Sequence, residues 1–368
     1  MQTETAAPIT HPASGMTSLE RVMAVLKHRE PDRVPHFEWV IDKGVIDALT
    51  RGGSYWDLVE LLDIDAVMVA PAYRKQPLGD GLVLDEWGSV RTIGHDDYAL
   101  VVEDRVPLKS EADLAHWQAP DPDDPYRYEP VRRAVERFGG RRAVGQRATG
   151  PRAIILQMRD VWSGVRDYMG YERALVNMIE APALVQAVVE RCVDHYIRII
   201  QRAAALGVNV VFSGDDIADA RGPLFSPRLW QSLLLPQYRR LVAAIHEAGL
   251  YHWKHSDGNL YPFLDSIVDA GTDGIDPIDP MGGMELSVVK ARYGQRVAIK
   301  GNVDQLELLA RGPAAAVEAR VKACIREAGA GGGYVCSSSN SIHSGVDPQL
   351  YRVMVEAIHR YGRYPLAG

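Results

Sequence analysis

The sequence predicts a (β/α)8 TIM barrel, an α/β fold in which eight parallel strands alternate with helices. Eight short apolar runs recur along the chain, nearly every one ends in polar residues, and stretches with helical spacing separate them. Since barrel enzymes place their chemistry at the carboxyl ends of strands, these polar ends supply the candidate site residues. The runs are Val34–Glu38, Asp65–Pro71, Ala143–Thr149, Val208–Asp216, Leu250–Gly258, Gly274–Asp279, Val297–Asp304 and Gly333–Asn340.

The stretches between the runs carry helix signals. A hydroxyl residue, Ser18, begins the helix before strand one, and Pro31 ends it. Apolar residues at every third or fourth position predict the later helices, with a break at Pro182. Those helices cover Leu175–Ala205, Trp230–Glu247 and Pro313–Ala328.

One interval, between the second and third runs, is too long for a single crossover helix, at about seventy residues. Its alternating segments Leu82–Thr92 and Tyr98–Val106 predict an antiparallel pair. We therefore expect one domain over residues 17–368, with an insertion between strands two and three at about residues 82–129. Residues 1–16, rich in Thr, Ala, Pro and Ser, are expected to be a disordered tail.

Composition excludes several classes of function. The net charge is −7 and no lysine and arginine block occurs, which argues against nucleic acid and favours a small organic substrate. Three cysteines are too few and too scattered for a disulfide framework, so a reducing cytoplasm is expected. No stretch approaches the roughly 20 apolar residues that cross a bilayer. We expect no secretory signal, because residues 1–15 have neither a basic start nor a long apolar stretch.

The end of strand five suggests a metal site. Residues two apart on a strand point the same way, so His255 and Asp257 share a side. Nitrogen and oxygen ligands suit an ion of the zinc type. The alternative is a histidine held by an aspartate without metal. Cys336 could add a soft third ligand, although buried cysteine is also common as a small apolar side chain.

Carboxylates end two further strands. His36 and Glu38 share a side at strand one, where Glu38 could ligate a metal, act as a base or pair with an arginine. Asp215 and Asp216 close strand four, and adjacent like charges raise each other's pKa, which favours a catalytic or metal-linked role for at least one. Asn302, at the end of strand seven, is a candidate wall residue.

A series of motifs, in order over nearly the whole chain after residue 16, resembles the uroporphyrinogen decarboxylase superfamily. The resemblance implies a (β/α)8 barrel and two activities, which are cofactor-free decarboxylation of the porphyrinogen and zinc-dependent methyl transfer with corrinoid proteins. A homodimer is common in the superfamily. The motifs include His28–Pro35, Asp85–Gly88, Gly150-Pro151, Gly214–Asp216, His255–Asn259, Gly301–Asp304 and Ser337–Asn340.

The decarboxylase branch carries an Arg-Gln-Ala-Gly-Arg signature after strand one, where this chain reads Phe37–Lys43 and lacks both arginines. Its Gly-His-Gly motif in the last strand corresponds to Ser339–Ser341, so Asn340 replaces the histidine. Uroporphyrinogen decarboxylation is therefore not expected, because substrate carboxylates would lose their partners. Four arginines near the barrel mouth still allow an anionic substrate: Arg147, Arg152, Arg159 and Arg221. The candidate substrate-binding residues are His36, Arg147, Arg152, Asn259 and Asn302.

The methyltransferase branch binds zinc through a His-x-Cys pair in strand five and a second cysteine near the end of strand eight. His255 matches the histidine, whereas Asp257 and Asn340 replace the cysteines. We therefore expect an oxygen-rich metal site and O-demethylation-type methyl transfer, with a corrinoid protein as partner and Glu38 or Asp216 as a further ligand or base. Two alternatives remain: a metal-free lyase that decarboxylates a small acid through Asp215 or Asp216, and a non-catalytic binding barrel.

Overall fold

A computed structural model describes residues 15–93, 100–140 and 150–366. The chain has a mixed α/β fold with a seven-stranded parallel sheet, as expected for a TIM-barrel-like architecture. It divides into two compact units. Unit 1 comprises residues up to Met68, Ala134–Ile155 and residues from Asp273 onward, and unit 2 comprises Val69–Arg133 and Leu156–Thr272.

Twelve strands occur in the described residues. In chain order they are β1 (Ala66–Val69), β2 (Lys75–Gly79), β3 (Leu82–Asp85), β4 (Val90–Thr92), β5 (Ala153–Arg159), β6 (Val210–Gly214), β7 (Ala218–Asp219), β8 (Gly222–Pro223), β9 (Tyr251–His255), β10 (Gly274–Asp276), β11 (Ala298–Lys300) and β12 (Tyr334–Val335).

Fifteen α-helices accompany them within the same ranges. They are α1 (Ser18–Leu26), α2 (Lys43–Thr50), α3 (Tyr55–Leu61), α4 (Glu111–Leu114), α5 (Glu129–Phe138), α6 (Val161–Met169), α7 (Tyr171–Glu180), α8 (Pro182–Leu206), α9 (Pro227–Leu229), α10 (Leu235–Glu247), α11 (Tyr261–Asp269), α12 (Leu286–Tyr293), α13 (Leu308–Arg311), α14 (Ala314–Ala328) and α15 (Pro348–Tyr361). A 3₁₀ turn at Pro125–Tyr128 and a π-helical turn at Trp230–Leu234 precede α5 and α10.

The helix boundaries follow from capping chemistry. The first helix begins one residue after its cap, Thr17, whose side chain accepts the Glu20 N–H while Glu20 bonds back to the Thr17 N–H. The expected break near Pro182 is confirmed, because α7 ends at Glu180 and Pro182 begins α8. No described helix is both long enough and apolar enough to span a membrane.

In unit 2, β6 and β9 are parallel neighbours, with Val210 opposite Tyr251 and Gly214 opposite His255. All five residues of β6 are buried, as expected of a strand covered on both faces. The same unit contains the antiparallel sheet β2-β3-β4, which lies between β1 and β5 in the sequence.

The pairing predicted in this region differs in detail from the observed pairing. Residues 82–92 form a hairpin of their own, β3 and β4, and Val101 then pairs with Arg91 in antiparallel orientation. Residues 94–99 lie outside the described residues.

In unit 1, β10, β11 and β12 are parallel neighbours in that order. The predicted first strand, Val34–Glu38, forms no regular strand. Pro35 supplies no N–H, yet its carbonyl accepts the Cys336 N–H at 3.1 Å, and the His36 carbonyl accepts the Asp65 N–H at 2.8 Å. The segment therefore makes single backbone hydrogen bonds to the residues that flank β1 and β12, but it does not form the continuous series of hydrogen bonds of a regular strand.

The third predicted strand, Ala143–Thr149, lies outside the described residues. The structure has a strand at Ala153–Arg159, which the apolar runs did not predict. The five runs after it contain β6, β9, β10, β11 and β12, and the second run contains β1. Apolar periodicity thus located most parallel strands.

Candidate metal centre

The carboxyl ends of β6 and β9 bring three ionisable side chains together. Because Gly214 pairs with His255, the residues that follow these two strands, including Asp216 and Asp257, leave the sheet at the same edge. The Asp215 N–H donates to the His255 carbonyl at 3.0 Å, and the Asp257 N–H donates to Asp216 Oδ1 at 3.2 Å. Backbone pairing therefore holds the two chain segments at a fixed separation.

The cluster consists of Asp216, His255 and Asp257, whose ligand atoms all lie within 4.8 Å of one another. His255 Nε2 is 3.7 Å from Asp216 Oδ1 and 3.7 Å from Asp257 Oδ1. The histidine side chain is fully buried, whereas the aspartate side chains are 40% and 29% exposed. Phe212 packs against the imidazole at a centroid distance of 5.8 Å. The site is therefore a buried nitrogen flanked by two carboxylates that solvent reaches.

This spacing fits a cation. A distance of 3.7 Å between His255 Nε2 and each carboxylate oxygen is longer than a hydrogen bond. Two ligands that each lie about 2.1 Å from one tetrahedral ion are separated by about 3.4 Å. One imidazole and two carboxylates also match the donor types of zinc sites that keep a position open for substrate. The residues present therefore fit a bound metal ion.

The neighbouring carboxylate Asp215 has a different environment from Asp216. It is buried, and its oxygens accept hydrogen bonds from the Trp162 N–H at 3.0 Å and from the Ser163 N–H and Oγ–H at 2.5 and 2.8 Å. The ammonium of Lys254 lies 3.4 Å away. The two adjacent carboxylates therefore have different partners, and burial is the largest cause of the raised pKa of Asp215.

Glu38 lies in unit 1, in a fully buried position. Its Oε1 accepts the Ser338 N–H at 3.0 Å, and its Oε2 is 2.6 Å from Ser338 Oγ. The Ser338 hydroxyl, which has one hydrogen, also contacts the Asn340 carbonyl, which can only accept. The Ser338 hydroxyl donates to Glu38 Oε2 and also lies against this carbonyl. Burial raises the pKa of Glu38 to about 7, against the lowering effects of Lys300 and of the Ser338 hydrogen bonds.

His36 and Cys336 are also buried in unit 1. His36 Nδ1 lies 2.9 Å from the Cys336 carbonyl and Nε2 lies 3.1 Å from the Tyr351 hydroxyl. Burial lowers the pKa of His36 to about 4, so its imidazole is neutral. Cys336 is not among the three residues of the cluster, and burial raises the pKa of its thiol well above the usual value. A thiol held protonated in this way is a poor ligand unless a metal displaces the proton.

The other predicted site residues have local structural partners. Arg152 precedes β5 and is buried, with Nε donating to the Ile64 carbonyl at 2.8 Å and Nη2 lying 3.0 Å from Asp63 Oδ1. Asn302, also buried, donates to the Ile278 carbonyl at 2.6 Å. Their roles in substrate binding remain predictions.

Two asparagines have more exposed positions. Asn259 is half-buried, and its Oδ1 accepts the Tyr261 N–H at 3.1 Å. Asn340 is half-buried, and its Oδ1 accepts the Ser341 N–H at 2.6 Å. Arg147 lies outside the described residues.

Two ionic residues behind the cluster, Asp160 and Lys254, were not predicted from the sequence. The sequence does indicate that Lys254 has a charged partner, because a lysine inside a buried parallel strand needs an opposite charge nearby. Its partner could not be read from the sequence, since Asp160 is 94 residues away.

Fold and site together define an α/β protein with a candidate metal site at the carboxyl ends of its parallel strands. The family model described as "Uroporphyrinogen decarboxylase (URO-D)" matches residues 100–361. The chain belongs to this family, which confirms the resemblance seen in the motifs.

Individual relatives agree with this assignment. The chain is 25% identical over 269 residues to a uroporphyrinogen decarboxylase of Methylococcus capsulatus, covering 70% of this chain and 71% of the relative. It is 26% identical over 261 residues to one of Myxococcus xanthus, covering 70% of each.

Among solved structures, a methyltransferase from Methanosarcina mazei aligns with a TM-score of 0.74 and 17% identity. The alignment covers 94% of this chain and 99% of that one. At this identity the similarity shows a shared fold over nearly the full length.

Proposed function

We propose that this protein is an enzyme of metal-assisted methyl transfer, which removes a methyl group from oxygen on a small methylated substrate and passes it to a corrinoid protein. The observation that carries the proposal is the cluster of Asp216, His255 and Asp257 at the carboxyl ends of two parallel strands. The resemblance to the methyltransferase branch supplies the reaction class and the corrinoid partner. A cytoplasmic location is part of the proposal.

In this proposal the imidazole of His255 and the carboxylates of Asp216 and Asp257 would hold the ion. A bound zinc ion would supply Lewis-acid polarisation of an ether or alcohol oxygen. The buried His255 provides a fixed nitrogen, because neighbouring backbone bonds and Phe212 define its place. The two half-exposed carboxylates leave the solvent side of the cluster open to a small molecule.

Asp216 has a further proposed role as a base. It is the most exposed of the three side chains, so it can reach a substrate proton without desolvating a buried charge. Glu38 is the other candidate acid or base, and burial raises its pKa to about 7, which suits either role near neutral pH.

The test is a methyl-transfer assay on zinc-loaded protein, with a panel of methoxylated compounds as donors and reduced cobalamin as acceptor. We expect formation of methylcobalamin, its loss with a chelator and its loss in His255→Ala. Stoichiometric zinc binding without consumption of any donor would contradict methyl transfer while leaving the metal site intact.

Decarboxylation of a small acid is the second candidate, because the curated relatives described above are named uroporphyrinogen decarboxylase. The residues at Phe37–Lys43 oppose the porphyrinogen itself as substrate, since the two signature arginines are missing. Release of carbon dioxide from a carboxylic acid that continues in the presence of a chelator would favour this reaction over methyl transfer.

A further inference from the structure

A buried ionic network lies behind the candidate metal centre, within unit 2. Lys254 directly precedes His255 in β9, so the two side chains leave the strand on opposite faces. The lysine side chain is fully buried. Its ammonium lies 3.0 Å from Asp160 Oδ2 and 3.4 Å from Asp215 Oδ2. The Lys254 ammonium thus links Asp160, which follows β5, to Asp215, which follows β6.

Two further residues complete the network. Ser213 Oγ lies 2.7 Å from Asp160 Oδ2 and 2.8 Å from His252 Nε2. The single hydroxyl hydrogen goes to the carboxylate, which can only accept, so His252 Nε2–H donates to Ser213 Oγ. His252 lies two residues before Lys254 and on the same face of β9. The network is therefore an ordered chain of matched donors and acceptors.

The network is bonded to the backbone that carries two residues of the metal cluster. Lys254 Nζ donates to the Asp215 carbonyl at 3.1 Å, directly before Asp216. The Asp215 N–H donates to the carbonyl of His255 at 3.0 Å. The first N–H groups of α6, from Trp162 and Ser163, hold the Asp215 carboxylate. A displacement of Lys254 would therefore move both ligand-bearing segments.

We propose that Lys254 is a positioning residue for the metal centre, holding the Asp216 and His255 segments at the separation that one cation requires. The proposal rests on the proposed function, since it presupposes that the cluster binds metal. Groups behind a metal's ligands commonly change its affinity by about 10–100-fold. No atom of Lys254 needs to touch the metal for this role.

Electrostatics alone predicts the opposite change, which is tighter zinc binding when the Lys254 ammonium is removed. Removing the ammonium leaves the carboxylates of Asp160 and Asp215 without their shared cation, which makes the region more negative and attracts a cation more strongly. Positioning predicts weaker binding in spite of the added negative charge. The direction of the change in metal affinity therefore separates the two explanations.

The experiment measures the zinc dissociation constant by competition with a chromophoric chelator, together with thermal unfolding of the metal-free protein. We expect Lys254→Met to bind zinc about 10–100-fold more weakly than the wild type. Lys254→Arg, which keeps the charge, should recover part of the loss.

The matched control is Arg127→Met, which removes another buried cation of unit 2. Arg127 Nη1 is 2.6 Å from Glu86 Oε2, and Nε donates to the Asp121 carbonyl at 2.5 Å. These partners lie outside the segments that carry the cluster. This variant should lose stability and keep the zinc affinity of the wild type.

Zinc binding by Lys254→Met that equals or exceeds that of the wild type would overturn the proposal. If this variant does not fold, the pair Lys254→Met with Asp160→Asn replaces it, because it leaves one fewer unpaired buried charge. The same loss of affinity is expected there. A wild-type protein that binds no zinc would overturn the metal site itself, and with it this role of Lys254.

Discussion

Two groups of ionisable side chains at strand ends differ in the way their polar atoms are matched. Around Glu38, the Ser338 N–H and hydroxyl meet the carboxyl oxygens at hydrogen-bond distances, and the carboxyl is fully buried. Around His255, two carboxylates stand 3.7 Å from the imidazole nitrogen, beyond hydrogen-bond length, and both are partly exposed. The first arrangement satisfies a buried carboxyl group whose pKa is raised to about 7, whereas the second suits a cation.

The carboxyl groups at the two sites have different chemistry because their environments differ. Burial without a full counter-charge favours the neutral form of a carboxyl group, as at Glu38. Asp216 and Asp257 are partly exposed, and carboxylate oxygens that solvent reaches are available as ligands for a metal ion. Burial and geometry, rather than residue type, determine the chemistry of the two groups of side chains.

The largest expected effect is the loss of metal binding in His255→Ala. Removal of the buried nitrogen leaves only two half-exposed carboxylates, so the zinc affinity should fall by more than the roughly 100-fold expected for an outer contact. Elemental analysis of dialysed protein measures it. His246→Ala, which removes an exposed histidine, is the control and should retain the metal. Equal zinc in both variants would show that the cluster is not the metal site.

The next effect concerns pH and Glu38. Its pKa is raised from 4.5 to about 7 in the folded protein, so the folded state binds more protons than the unfolded state between these values. The corresponding stabilisation is fully present below pH 4.5 and is lost as the pH rises through about 7. Its size is on the order of 3 kcal/mol.

Glu38→Gln should abolish this pH dependence, because an amide does not ionise. Urea denaturation at several pH values measures the change in the free energy of unfolding. Glu136→Gln, at an exposed position, should retain the wild-type profile. A wild-type stability that is flat across this pH range would contradict the buried neutral carboxyl.

A smaller change is expected when a thiolate enters the cluster. Asp257→Cys should raise the affinity for zinc by about tenfold, because thiolates are softer ligands that zinc prefers over carboxylates. With cobalt in place of zinc, a sulfur-to-metal charge-transfer band should appear. Asp219→Cys, at a position outside the cluster, should show neither effect. Weaker zinc binding in Asp257→Cys would mean that residue 257 does not contact the metal.

The smallest expected effect follows from Asp216→Asn. This side chain is the most exposed of the three, and water can replace one of its contacts, so the zinc affinity should fall by only about 10-fold. Isothermal titration calorimetry measures it, with Asp219→Asn as the control. A loss of zinc affinity as large as that of His255→Ala would show that Asp216 contributes as much to zinc binding as His255. Buried and exposed ligands would then not differ in their contribution to affinity.

Local patterns predicted much of this architecture. Apolar runs with polar ends located β6 and β9, and helical spacing with Pro182 located the junction of α7 and α8. Strand parity placed His255 and Asp257 on one side, and the structure brings both into the same cluster. These features depend on residues near one another in sequence, so periodicity carries the information.

Other features required contacts between distant residues. Val34–Glu38 has the composition of a strand, but its hydrogen bonds alternate between residues near β1 and β12. Asp215 and Asp216 are neighbours in the chain, and their environments differ because Asp215 is buried against the N–H groups of α6 and the Lys254 ammonium. No local pattern encodes that difference.

The sequence by itself determined the alternation of strands and helices, the family, and the strand ends where the ionisable residues occur. Tertiary structure decided the raised pKa of Glu38, the different environments of Asp215 and Asp216, and the 3.7 Å spacing around His255. The physical reason is that periodicity is a local property of the chain. Burial, counter-charge and ligand spacing arise only when segments far apart in sequence pack together.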